Sequence, residues 1–145
     1  MFNEEGAYLQ LTSHDHYLVS GWCTHPGFRP FWFMTDTTGE QMWNLVWGNY
    51  TGYLFQTIEK DSGIFYSVGR YIYQTSLHPS IFKLNEGGQF LDQYNLLGDT
   101  IVKGGAGSIA AYDSSKLIIG IAWSNVEYPV DEGYSNVLLI SAYNS

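Results

Sequence analysis

The chain has 145 residues, of which 45% are hydrophobic and 17% aromatic but only 14% charged, enough apolar material for one domain with a real core. Six Lys plus Arg stand against 14 Asp plus Glu, a net charge of −8, so nucleic acid and anionic membrane surfaces would both be repelled. Abundant aromatics and 16 glycines favour strands and tight turns over helices.

In chain order, a first apolar strand is predicted at Tyr8–Thr12. An Asp-containing turn follows at His14-Asp15-His16, then a second strand, Tyr17–Gly21. A third strand, Phe31–Met34, is apolar at every position and should be buried on both faces. It runs into the turn Asp36-Thr37-Thr38-Gly39 and a fourth strand ending in Trp43-Asn44-Leu45. The same order then recurs: Tyr53–Thr57, Asp61-Ser62-Gly63, Ile64–Gly69, Ser80–Leu84, Asn85-Glu86-Gly87-Gly88, and Tyr94-Asn95-Leu96. It begins a third time with Ser108–Tyr112, Asp113-Ser114-Ser115, Lys116–Gly120 and Asn136–Ile140. Gly21, Gly69 and Gly120 mark the repeat, at spacings of 48 and 51 residues. Gly104–Gly107 reads as a flexible link between the second and third units, because no Lys-Ser/Thr follows to make it a phosphate loop.

The reading is therefore all-β: one repeat domain over 1–145, with units at about 7–50, 51–98 and 99–145. A unit of this length with four short strands has the signature of a propeller blade. The run Ile81-Phe82-Lys83-Leu84-Asn85-Glu86-Gly87-Gly88-Gln89 carries the resemblance most clearly. It resembles the β-propeller repeats of secreted and cell-surface bacterial proteins, the quinoprotein-like blades. The resemblance implies a partial propeller of about three blades, the third incomplete, since four to eight close a ring. It also implies either a fragment of a larger secreted or surface protein, or a subunit completing its ring by self-association. The alternative arrangement of the same strands is a β-sandwich of ~10 strands.

Three clusters carry candidate chemistry. His14, His16, Cys23 and His25 are weak candidates for a zinc site, since alternate strand residues share a face. The expectation is no metal: His14–His16 occupies the place of the ordinary turn Asp61–Gly63, and Cys23 reads as a buried, inert thiol. Glu127 and Asp131, with Glu132, could hold calcium or act as an acid and base pair, and are expected to be loop charge or ligand contacts. Among five tryptophans, Trp22 and Trp123 end second strands near the loops, where an indole can stack on a sugar or a peptide. Trp43 is matched to Tyr94 as a packing aromatic.

No catalytic motif is present: there is no Gly-x-Ser-x-Gly and no nucleophile in a recognisable setting. The expected function is a non-catalytic binding or scaffolding module, with Trp22, Trp123, Glu127 and Asp131 contacting an unidentified protein or glycan. A lectin-like, carbohydrate-binding module is the alternative, and a hydrolase a distant third. No cofactor, nucleic-acid partner or membrane insertion is expected, and an extracellular or cell-surface setting is favoured.

Overall fold

Among the described residues, the polar turns at 14–16, 36–39, 61–63 and 85–88 each close a hairpin, and the hairpins join into meanders. The computed structural model describes residues 4–24, 27–48, 51–73, 76–96, 103–113 and 116–124. β1 (Glu4–Leu11), β2 (Tyr17–Cys23), β3 (Arg29–Thr35) and β4 (Gln41–Val46) form one antiparallel sheet in chain order. β5 (Gly52–Asp61), β6 (Ile64–Tyr73), β7 (Ser76–Asn85) and β8 (Phe90–Asn95) form a second sheet of the same order. β9 (Lys103–Asp113) and β10 (Lys116–Ser124) pair as a third. The chain is all-β, with no helix among the described residues. The strand expected at Asn136–Ile140 lies outside them.

The β3–β4 and β7–β8 turns are built alike. Asp36 accepts hydrogen bonds from the backbone N–H of Thr38 and of Glu40 at 2.8 and 2.9 Å, while Asn85 accepts one from Gln89 N at 2.9 Å. Gly39 and Gly88 take φ of 88° and 75°, where a Cβ would be strained. In the β1–β2 turn, Asp15 (φ 60°) plays the part that Gly63 (φ 72°) plays between β5 and β6; Asp tolerates the left-handed region better than most side chains.

Each first strand carries a β-bulge close to the repeat glycine. Gly6 pairs with Gly21 and Tyr8 with Ser20, leaving Ala7 as the extra residue. Leu54 pairs with Gly69 and Gln56 with Val68, leaving Phe55. Ala106 pairs with Ile121 and Ser108 with Gly120, leaving Gly107. The glycine-rich stretch 104–107 is thus part of β9 rather than a link. A bulge relieves a one-residue mismatch and twists the strand, and small residues suit it.

The bulges also correct the sequence register. In the third unit the step falls after Gly120, not before it, so the counterpart of Gly69 is Ile121. In the first strands the counterpart of Tyr8 is Gln56, not Tyr53. Trp43 pairs with Met34 and Tyr94 with Ile81, so Trp43 corresponds to Asp92, and Leu45 to Tyr94. The first two mismatches align like residues across bulges that the sequence does not mark; the third aligns like aromatics that sit two residues apart in equivalent strands.

The three sheets pack face to face in chain order. Leu18, Trp32 and Met34 of the first sheet meet Leu54, Phe65, Phe82 and Leu84 of the second. On its opposite face the second sheet presents Tyr66, Val68 and Ile81 to Ala106, Ile109, Leu117, Ile119 and Ile121 of the third. Three layers with a doubly covered middle sheet are not the two facing slabs of a sandwich. The middle layer explains why β6 and β7 read as nearly continuous apolar runs: residues of both parities are buried.

Gly69 and Gly120 should respond oppositely to alanine. A Cβ on Gly69 would run into the Tyr53 carbonyl, which is backbone and cannot rotate away. A Cβ on Gly120 would meet only the Ser108 hydroxyl, which can. Gly69→Ala is expected to cost about 3 kcal/mol or more and Gly120→Ala less than about 1 kcal/mol, measured by urea denaturation.

Candidate functional site

The interface between the first two sheets fixes both ends of the molecule. At its centre Trp32 is fully buried, edge-on to Phe82 with ring centroids 5.8 Å apart. Its indole N–H donates to Ser67 Oγ at 2.7 Å. Ser67 and Thr57 are linked at 2.6 Å, and Thr57 donates to Ser20 Oγ at 2.7 Å. On the outer strands Trp47 stacks on Phe90 (3.5 Å, 10°), and Trp43 donates to the Glu86 carbonyl at 2.7 Å. Trp32, Trp43 and Trp47 are therefore packing residues. Trp22 lies instead near a strand end, at an end of the stack.

Trp22 lies near the end of β2, beside the β2–β3 and β4–β5 connections. Its ring meets Tyr53 edge-on at 5.6 Å and Phe55, the bulge residue of β5, at 6.4 Å. Phe28, 39% exposed, stacks on Tyr53 at 5.0 Å and 27°. Arg70 pairs across the ladder with Tyr53, and its guanidinium lies over that ring at 4.3 Å from the centroid and 5.8 Å from that of Phe55. Gly52 allows the tight approach here, since a Cβ would lie 2.9 Å from the Pro30 ring. The result is a half-exposed aromatic surface with a cation laid on it, suited to stacking on a planar or sugar face. Of this group the sequence reading singled out Trp22 alone. Arg70 and Phe28 carry no local signal, because only strand register brings them onto Tyr53.

The opposite end holds a polar clamp. Glu86, in the β7–β8 turn, meets Nδ1 of His14 at 2.7 Å and Nδ1 of His16 at 3.1 Å. A carboxylate only accepts, so both nitrogens donate. Ser13 donates to Glu59 from its backbone N and its hydroxyl, each at 2.6 Å, and Gly63 N donates at 2.7 Å. Ser62 Oγ lies 3.2 Å from His14 Nε2. Turns of the first and second sheets are thus tied together. The turn expected to be merely solvated is a contact between units.

Cys23 is buried at the far end of β2 from His16, about 20 Å along a seven-residue strand, so the proposed zinc pairs cannot converge. Among the described residues no three His, Cys, Asp or Glu side chains are placed to hold a metal ion. His25, Glu127 and Asp131 lie outside the described residues. Trp123 pairs with Gly104 near the end of β10, as its strand position predicts. No helix among the described residues is long and apolar enough to cross a membrane. Comparison with protein-family models and with curated proteins finds no match to this chain.

The clamp has a pH signature. Partial burial pushes the Glu59 carboxyl up, but hydrogen bonds from Ser13 and Gly63 and the nearby His14 outweigh it, leaving the carboxyl below its ordinary value of 4.5. A depressed carboxyl stabilises the fold above its unfolded value, and that contribution is lost as pH falls through the lowered one. Glu59→Gln should therefore flatten the fall in stability between about pH 5 and pH 3, read from urea midpoints across that range.

Proposed function

We propose that this chain is a non-catalytic binding module whose stacked sheets are successive blades of a propeller-type arrangement. One observation carries the reading. The same meander, with a bulge on its first strand beside the repeat glycine, recurs and lays each copy's face on the next. A stiff stack of this kind holds the connections at its ends in fixed positions, where binding residues are commonly carried. The partner-facing group is Trp22, Phe28, Tyr53 and Arg70. The scaffold supplies their geometry, and the reading assigns them no reaction. A secreted or cell-surface setting follows from the blade resemblance.

A carbohydrate ligand is the second reading, favoured by Phe28 and Tyr53. They form a partly exposed stacked pair beside an arginine, which suits a sugar ring bearing a carboxylate.

Titration of the intact chain with neutral and uronic-acid oligosaccharides, and with acidic peptides, separates the two readings by tryptophan fluorescence. The ligand class that binds is expected to lose affinity at least about tenfold, or ~1.4 kcal/mol, on Phe28→Ala, with the melting temperature unchanged. Binding that survives both Phe28→Ala and Trp22→Ala would remove this surface from the proposal.

A further inference from the structure

The outer face of the first sheet is apolar: it is buried at Phe31 and Cys23, half-buried at Val19 and Phe33, and open along β1 at Leu9 and Leu11. Leu9, Val19 and Phe33 lie in register across β1, β2 and β3 and so share one face. Leu11 and Tyr17 form the next row. Leu9 is 61% and Leu11 56% exposed, an unusual setting for paired leucines on a sheet face.

The repeat identifies what that face matches. Its counterpart in the second sheet is the row Thr57–Ser67–Phe82, and in the third the pair Ile109–Ile119. Both counterparts are covered by the sheet before them. Thr57 bonds to Ser20, Ser67 and Phe82 meet Trp32, and Ile109 and Ile119 pack with Tyr66 and Val68. The covering rows are Gln10–Leu18 in the first sheet and Ile58–Tyr66 in the second. The third sheet carries the corresponding pair, Ala110–Ile118, on a face where Ala110 and Tyr112 are exposed. Among the described residues, one unmatched face thus lies at each end of the stack, one of each kind.

We infer that a second copy of this chain docks head to tail, its Ala110–Ile118 face covering the Leu9–Val19–Phe33 face of the first. The contact continues the interface already made twice within the chain, and it rests on the blade reading above. It is heterologous, so it closes into a ring or extends as a filament according to the rotation per copy.

Sedimentation velocity on the full chain from roughly 1 µM to 1 mM tests the contact, together with two double variants. One is Leu9→Asp with Leu11→Asp, the other Ala110→Asp with Tyr112→Asp. All four positions are exposed, so both variants should melt near the native temperature. The native chain is expected to associate with rising concentration, and each variant alone to stay monomeric. An equimolar mixture of the two should give a one-to-one dimer and nothing larger, since each retains the face the other lacks. A native chain monomeric throughout, a variant that associates like the native chain, or a mixture with no dimer each overturns the inference. So does a monomeric Leu9→Asp, Leu11→Asp variant with a strongly lowered melting temperature, which would mean that the chain covers this face itself. None of these outcomes touches the blade reading, which fails separately if Ser67→Ala, which breaks the bond between sheets, leaves stability unchanged.

Discussion

The buried bond from Trp32 to Ser67 is the point on which the first two sheets depend. An indole needs space, and its N–H needs an acceptor once water is excluded. Ser67 supplies the acceptor, and its own hydroxyl is engaged by Thr57, which in turn reaches Ser20. The chain of donors runs from the first sheet into the second and back. A sliding of one sheet against the other would strand several buried hydroxyls at once, so the network fixes the stacking register more sharply than apolar contact could.

That register places everything else. With Trp32 fixed, Trp43 falls over the β7–β8 turn and Trp47 onto Phe90, and the β1–β2 turn comes within reach of Glu86 and Glu59. The half-exposed histidine contacts are worth little individually. Their place at the stack's end suggests orientation of the turns more than strength. At the other end, the same alignment sets Trp22 of one sheet against Tyr53 and Phe55 of the next. The candidate surface is thus a product of the stacking, assembled from residues of two units.

The bulges explain why the repeat was visible and why its fine register was not. Turns are local: Asp36 and Asn85 bond to backbone within four residues, so their likeness survives in the sequence. Gly69 is required by a carbonyl from the neighbouring strand, a long-range cause with no local mark. Gly120 looks the same on paper, yet it sits one step from the position that makes Gly69 necessary. Matching Trp43 to Tyr94 slipped by two residues: the turn and the bulge after it fall alike in both units, and only the aromatic side chains, set two positions apart along the strand, suggested the wrong pairing.

The sequence by itself determined the strand class, the meander order and the turn positions, because apolar runs and Asp, Asn and Gly at φ-sensitive places act within a few residues. It also marked Trp22 as an indole near a loop. Only the tertiary structure decided that Arg70 lies on Tyr53 and that Phe28 joins them. It alone parted Cys23 from His14 and His16 and left Leu9 and Leu11 exposed. Those outcomes depend on which strand lies beside which and on which face each sheet turns to its neighbour, and neither is encoded in any short stretch of chain.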